Sequence, residues 1–223
     1  MSSNKKKFFA EVTGTFILVV VAAGPSVLDA KYPGAFGPWF SAICQTVGIG
    51  LAIHAFSKTS LAHFNPAITI GFLITRHVSK NLLGLYFGAE LIGAFLGAFF
   101  VKHLIGTQAH IGANAPNYSF PIILIFIVEV TATVFLMGIT LIVIHQKGHH
   151  GEGPGWAKVG TVIGLDIFFF SSISGASMNP ARSLAPALLS GYVNDLWLYL
   201  TAPFVGTIIV ALIYRKKFAK KII

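Results

Sequence analysis

The chain contains one short pattern twice, first as His63-Phe64-Asn65-Pro66-Ala67 and again as Ser177-Met178-Asn179-Pro180-Ala181-Arg182. Asn is favoured directly before a helix, because its side chain can accept a hydrogen bond from an unpaired backbone N–H. Pro suits the first helical turn because its φ is fixed and it lacks an N–H. Each copy therefore predicts the start of a helix, and each lies in a strongly apolar part of the chain.

The two helices predicted from this pattern are short, covering residues 65–75 and 179–190. About ten residues at ~1.5 Å each reach ~15 Å, which is half of the ~30 Å hydrocarbon core of a bilayer. Unpaired N–H groups at a helix start are tolerated inside a membrane only against water or protein. Two such starts in matching positions indicate half-helices that enter the membrane and meet at a permeation site.

The composition is that of a membrane protein. Of 223 residues, 55% are hydrophobic and 10% are charged, which excludes a soluble domain. The alternation typical of a β-barrel is absent from the sequence. A net charge of +9 would suggest nucleic-acid binding in a soluble protein, but here the cations flank apolar segments, so no nucleic-acid partner is expected. Cys44 is the single cysteine, so no intramolecular disulfide is expected.

Hydropathy and turn residues predict an all-α membrane protein with six transmembrane helices plus the two re-entrant half-helices. The predicted spans are 8–28, 36–57, 82–105, 119–144, 156–174 and 196–214, and residues 1–223 are expected to form a single transmembrane channel domain. The third span carries small residues at short spacing, which indicates close approach of a neighbouring helix. These residues are Gly84, Gly88, Gly93 and Gly97.

An internal repeat relates the two halves of the chain. Glu11-Val12-Thr13-Gly14-Thr15 in the first predicted span matches Glu129-Val130-Thr131-Ala132-Thr133 in the fourth. The copies, approximately 8–105 and 119–214, each hold three spans and one half-helix. Because three is an odd number, the second copy is expected to be inverted relative to the first, so that the half-helices enter from opposite sides.

The distribution of basic residues predicts the orientation in the cell membrane. Of the 16 Lys and Arg residues, only Lys31 and Lys102 fall on the outer side when both termini are placed in the cytoplasm, and Arg182 falls within a half-helix. The others lie on the cytoplasmic side, as the positive-inside rule requires. We therefore expect a multi-pass protein of the cell membrane, surrounded by the lipid bilayer, with both termini cytoplasmic.

On these motifs the chain resembles the aquaporin family, also called the major intrinsic proteins. The resemblance rests on two Asn-Pro-Ala motifs, on the run from Gly175 to Ser183 and on the paired Glu-x-x-x-Thr segments, and it covers nearly the whole chain. It implies a homotetramer with one pore in each subunit. It also implies that Asn65 and Asn179 donate hydrogen bonds to passing molecules at the membrane midplane. The motifs are completed by Pro66, Ala67, Pro180 and Ala181.

The resemblance further implies an outer constriction, the selectivity filter, formed by Gln45, Ile167, Ala176 and Arg182. Strict water channels of the family usually have an aromatic residue at the first of these positions and His at the second. Ile167 and the small Ala176 therefore predict a pore that is wider and less polar on one side. Ser183 and Ala187, however, resemble the water-selective branch, so a strictly water-selective channel remains an alternative.

The predicted function is a passive transmembrane channel for water and small uncharged solutes, of which glycerol, ammonia and carbon dioxide are candidates. Two opposed helix N-termini create a positive potential that repels protons and cations, and Arg182 adds a fixed charge. A coupled secondary transporter is the alternative from another class, since inverted repeats and broken helices occur there too. An enzyme is not expected, because no nucleophile–base constellation is apparent in the sequence, and no cofactor is implied.

Three carboxylates fall inside predicted spans, where an unpaired charge is costly. Glu11 and Glu129 could serve a transport relay, but the resemblance implies a structural role in which they bind the backbone of the half-helix loops. Glu90 is expected to serve packing or a subunit contact rather than transport.

Two further features leave alternatives open. Asp166 either pairs with a neighbouring helix or holds the filter wall from behind. The fourth connection contains His145, His149 and His150, which would suit a metal or a pH-sensitive lid. A solvated loop is favoured there, and no metal site is expected, because Glu152 is the one other potential ligand nearby.

Overall fold

The computed structural model describes residues 2–146 and 155–218. Within these ranges no β-strand occurs, and the helical segments are α1 (Ser3–Lys31), α2 (Pro38–Ser60), α3 (Pro66–Ile74), α4 (Leu83–Phe100), the one-turn segment α5 (Gln108–Gly112), α6 (Ile122–His145), α7 (Gly155–Ser174), α8 (Pro180–Ser190) and α9 (Leu196–Phe218). A 3-10 turn (Lys80–Leu82) precedes α4 and a π turn (Val101–Ile105) extends it. Of the helices in the described residues, six are long and apolar enough to cross a membrane, namely α1, α2, α4 with its flanking turns, α6, α7 and α9. The predicted all-α membrane fold is confirmed.

The first span is longer at both ends than predicted. α1 begins at Ser3, before residue 8, because Ser2 Oγ accepts a hydrogen bond from Lys5 N (3.4 Å) and caps the helix. It continues past residue 28 to Lys31. Pro25 lies inside this helix. A Pro in a helix removes one backbone hydrogen bond, and the helix continues because its other backbone hydrogen bonds are kept.

Glycine allows close helix crossings at equivalent places in the two halves. A Cβ atom at Gly93 of α4 would lie 2.4 Å from Val12 O of α1, and one at Gly206 of α9 would lie 2.5 Å from Val130 O of α6. Real Cβ atoms essentially never approach this closely, so any larger residue would push the two helices apart. In lipid, where no hydrophobic effect drives helices together, such close packing is one of the sources of helix association.

Only part of the predicted glycine set makes this contact. A Cβ atom at Gly97 would lie 2.9 Å from Phe16 O, so Gly97 packs against α1 together with Gly93. Among residues 2–146 and 155–218, nothing lies within 4 Å of a Cβ atom at Gly84 or Gly88. The prediction of close packing is therefore wrong for these two within the described part of one subunit, because the first turns of α4 meet none of its other described helices on that face.

Each half-helix packs on a spanning helix of the other half of the chain. α3 contacts α9, and α8 contacts α4. At the C-terminal end of α8, Lys102 Nζ donates a hydrogen bond to Leu189 O (3.1 Å). A cation is favourable there because the C-terminus of a helix carries a partial negative charge. Gly191 then terminates α8 with a φ of +78°. These contacts hold both half-helices inside the bundle.

Large apolar side chains cover the outside of the bundle. Phe9, Leu104, Phe169 and Ile213 are each more than half exposed. Such a surface is unfavourable in water and is the expected one against lipid.

Candidate permeation pathway

The two Asn-Pro-Ala segments meet inside the bundle through a reciprocal pair of hydrogen bonds. Asn65 Nδ2 donates to Met178 O and Asn179 Nδ2 donates to Phe64 O, each over 2.8 Å. Each Oδ1 accepts a hydrogen bond from the backbone in the first turn of its own helix (2.9 and 3.0 Å), which fixes the orientation of the amide. Because an amide nitrogen carries two hydrogens, one N–H of each Asn is left for a passing molecule.

The residues before the two Asn positions have unusual backbone conformations. Phe64 and Met178 have φ values of +50° and +54°. This left-handed region costs about 1–2 kcal/mol for a residue with a side chain. Glu11 stabilises the first of these turns, because its Oε1 accepts from His63 N (3.0 Å) and its Oε2 from Phe64 N (2.7 Å).

Glu129 does the same for the second turn. Its Oε1 accepts from Ser177 N (2.9 Å) and its Oε2 from Met178 N (3.1 Å). Both Glu11 and Glu129 are fully buried, so without them these N–H groups would be buried and unpaired. This is the geometry that the structural role requires, whereas a transport relay would need carboxylate oxygens that face the pathway.

A cavity of about 460 Å³, here called the outer vestibule, lies between α1, α2, α7 and the connection before α6. Gln45, Ile167 and Arg182 all line it, so three of the four predicted filter residues come together. Gln45 Nε2 donates to Ser41 Oγ (3.1 Å). Ala176 is fully buried and does not line the vestibule, whose wall at this point is formed by its neighbour Gly175.

Arg182 is held at the vestibule wall by a residue that the sequence analysis did not find. Its Nη1 donates to Asn114 Oδ1 and, over 3.5 Å, to Gly112 O. Asn114 also accepts from Ser183 Oγ (2.7 Å) and donates from Nδ2 to Gly175 O (2.9 Å). Asn114 therefore joins the connection before α6 to both ends of the second Asn-Pro-Ala segment. Arg182 Nε is buried without a hydrogen-bond partner among residues 2–146 and 155–218.

The position of Asn114 depends on an unusual turn just before it. Within α5, Ala109, His110 and Ile111 have φ values between +47° and +60°. Gly112 follows with a φ of +69°, and a Cβ atom there would lie 2.6 Å from Ala23 Cα on α1. The turn thus brings the connection into the vestibule. No motif in the sequence marks Asn114. The local signal of a turn is Gly112, two residues before it.

A second, narrower cavity of about 40 Å³ lies on the other side of the Asn pair. Its wall is mostly apolar, with Ile49, Ile68 and Val159, and it also contains Asn65 and His63. Such a volume holds roughly one water molecule at ~30 Å³ each. The cavity is therefore large enough for about one water molecule at a time.

The third carboxylate, Glu90, lies behind this cavity. His63 Nδ1 is 2.7 Å from Thr69 Oγ1, which donates to Glu90 Oε1 (2.5 Å). Glu90 is fully buried inside the subunit. Of the two predicted roles, this geometry fits packing and not a contact between subunits.

Of the two features with open alternatives, the described residues Asp166 and His145 line neither the outer vestibule nor the inner cavity. Asp166 lines an outward-facing apolar cavity of about 590 Å³ between α6, α7 and α9, and its Oδ2 has no hydrogen-bond partner in the described ranges. His149 and His150 lie outside the described residues. His145 Nδ1 is 3.4 Å from Tyr214 Oη. The described part of the chain contains no group of three residues able to hold a metal ion.

Comparisons with known proteins agree along nearly the whole chain. A family model described as major intrinsic protein matches residues 1–214. Aquaporin NIP2-3 of Zea mays is 36% identical over 209 residues, covering 94% of this chain and 68% of that protein. Aquaporin NIP3-1 of Oryza sativa subsp. japonica is 31% identical over 212 residues, covering 95% of this chain and 68% of that protein. The structure of the aquaglyceroporin from Plasmodium falciparum is similar in fold, with a TM-score of 0.79, 24% identity and 98% of both chains covered.

Proposed function

The chain belongs to the major intrinsic protein family and is a passive channel for water and small solutes rather than an enzyme; we propose that its pathway leads from the outer vestibule past Asn179 and Asn65 into the narrow inner cavity. The family membership confirms the resemblance seen in the sequence and sets aside a coupled transporter. The observation that carries the pathway is the reciprocal bonding of the two Asn side chains, which leaves one N–H donor on each.

Ion exclusion follows from the charges along this pathway. The first turns of α3 and α8 meet at the Asn pair, so two positive helix ends lie at the same point. Arg182 adds a full positive charge in the vestibule wall. A cation or proton would have to pass both, whereas a neutral molecule exchanges its hydration for the donors of Asn65, Asn179 and Arg182.

The filter of the proposed channel admits small neutral solutes besides water, with glycerol, ammonia and carbon dioxide as candidates. Gln45 and Arg182 provide polar groups on the vestibule wall, and Ile167 provides an apolar surface in the same cavity. A mixed wall of this kind suits molecules that have both polar and apolar faces. Ala176, the fourth predicted filter position, stays a prediction.

Assembly and orientation are part of the same proposal. We expect a homotetramer in the cell membrane with both termini cytoplasmic. The outward face of α2 is apolar over its first four turns and suits a subunit contact, with Ile43, Val47 and Leu51 about half exposed. Lys31 and Lys102, the two cations assigned to the outer side, donate to backbone carbonyls of Ile105 (3.2 Å) and Leu189 (3.1 Å).

The decisive experiment compares water and glycerol fluxes by stopped-flow light scattering in proteoliposomes. Ile167→His adds bulk at the vestibule wall, so it should lower glycerol flux by a larger factor than water flux. Phe168→His is the matched control, because Phe168 is half exposed on the outer face of α7 and does not line the vestibule. A parent that conducts water alone would establish the strictly water-selective alternative. An equal loss of both fluxes would show that Ile167 is not at the narrowest point.

A further inference from the structure

A polar cavity outside the permeation pathway lies at the end of the bundle that carries the N-terminus. It has a volume of about 370 Å³ and is bounded by Lys7 near the start of α1, the last turn of α2, the connection between α3 and α4, and Tyr86 of α4. We call it the basal cavity, and its polar lining includes Lys7, Ser57, Lys58, Thr59, His77 and Ser79. Neither the pathway nor the filter uses these residues.

The lining of the basal cavity has the chemistry of an anion site. Lys7 provides an ammonium group and Lys58 a second one, and five residues with hydroxyl groups share the lining, namely Ser57, Thr59, Ser60, Ser79 and Tyr86. Ammonium and hydroxyl donors together are the usual ligands of a phosphate oxygen. No Asp or Glu of the described chain lines the cavity. The two carboxylates nearest in sequence to lining residues are Glu11, four positions after Lys7, and Glu90, four positions after Tyr86. Both are fully buried; Glu11 accepts from the backbone before α3, and Glu90 accepts from Thr69 Oγ1.

Ser57 supplies an independent indication of a ligand site. Its side chain is 1% exposed, and its Oγ has no hydrogen-bond partner among the described residues. Some hydroxyls near helix ends bond back to the preceding turn, as Thr75 does to Gly71 O (2.8 Å) and Ser190 to Pro186 O (2.7 Å). Thr15 Oγ1 and Thr207 Oγ1 also lack a partner among the described residues, but unlike Ser57 neither residue lines the basal cavity. A buried hydroxyl without a partner is unfavourable. An acceptor oxygen bound in the basal cavity would satisfy it.

We propose that the basal cavity binds a phosphate-type oxyanion, either free phosphate or the headgroup of an anionic phospholipid. Lys7 and Lys58 lie at the ends of spanning helices, which is the depth of lipid headgroups. The volume equals about twelve water molecules at ~30 Å³ each, enough for such a group with part of its hydration.

The bound anion would act on the loop that carries Asn65. Tyr86 Oη donates to Ser60 O (2.7 Å), and Ser60 Oγ accepts from Ala62 N (3.2 Å), so the cavity wall is bonded to the residues before the first Asn-Pro-Ala motif. Occupancy would therefore stabilise this loop without blocking the pathway.

The test measures binding to the purified full-length chain in a neutral detergent at constant ionic strength. Inorganic phosphate is titrated against chloride, and dioctanoyl phosphatidylglycerol is titrated against dioctanoyl phosphatidylcholine, with the shift in melting temperature as the readout. Binding of phosphate alone would identify a free anion as the ligand, and binding of phosphatidylglycerol alone would identify a headgroup. Either result supports the proposal, whereas no binding of either probe above its reference overturns it.

Two variants and one control locate the site. Lys7→Gln should weaken binding about fivefold, since one cation near a phosphate contributes ~1 kcal/mol. Lys6→Gln is the control, because Lys6 is the neighbouring residue, is exposed and does not line the cavity. It removes the same charge as Lys7→Gln and should leave binding unchanged. Ser79→Ala removes an exposed hydroxyl from the lining and keeps the test valid should Lys7→Gln not fold. Equal losses in Lys6→Gln and Lys7→Gln, or parental affinity in both Lys7→Gln and Ser79→Ala, would overturn the proposal.

Discussion

Replacing Asn114 by Asp would change the charge of the filter while keeping its shape. The two side chains have nearly the same size, and a carboxylate could still accept from Arg182 Nη1 and from Ser183 Oγ (2.7 Å). The donor to Gly175 O (2.9 Å) would be lost, which costs about 1 kcal/mol. The new negative charge would lie in direct contact with the guanidinium and would largely cancel its field in the vestibule.

The size of the effect follows from Coulomb's law. Two unit charges ~4 Å apart interact by about 1 kcal/mol in bulk water and by about 4 kcal/mol near a protein surface. The positive ends of α3 and α8 stay in place, so part of the ion barrier persists. We therefore expect the lower end of this range, an increase in cation or proton leak of about fivefold.

The assay is proton and potassium leak into proteoliposomes that contain a pH-sensitive dye, measured beside osmotic water flux. Water flux should change by less than the leak, because the pore keeps its width. Asn117→Asp is the matched control, since Asn117 lies in the same connection, is exposed and bonds Ser172 O (3.0 Å) rather than Arg182. An unchanged leak in Asn114→Asp, or an equal rise in the control, would refute the role of Asn114 beside the filter charge.

Three further predictions concern stability and are measured by thermal unfolding in detergent. Gly93→Ala should destabilise the chain by about 1–3 kcal/mol through overpacking against α1, whereas Gly88→Ala, with open space around its Cβ, should not; equal effects would contradict the packing argument. Glu129→Gln replaces a carboxylate oxygen that accepts backbone hydrogen bonds by a donor, so it should cost about 1–3 kcal/mol and lower water flux; parental stability would count against the structural role. Burial lowers the pKa of His77 from its ordinary value of 6.5, so on acidification the unfolded chain is protonated at this imidazole before the folded chain is, and the stability of the fold should decrease as the pH drops through 6.5. His77→Gln should reduce this pH dependence of stability, and an unchanged pH profile in the variant would contradict the prediction.

Much of the fold was predictable because its signals are local. An apolar run of about twenty residues is sufficient to define a spanning helix, and Asn before Pro is sufficient to define a helix start. α3 and α8 accordingly begin at Pro66 and Pro180, as the two motifs predict. Helix ends were less predictable. A Pro often ends a helix, but Pro25 is accommodated inside α1.

The sequence by itself determined the family, the six spans and the two Asn residues that meet in the interior, because each depends on residues that are neighbours in the chain. Only the tertiary structure identified Asn114, whose partner Arg182 is 68 positions away, and only it showed that Asp166 faces away from the vestibule. The physical reason is the same in both cases. Which side chain reaches a cavity depends on helix rotation and on the path of a connecting turn, and both are set by packing between distant segments.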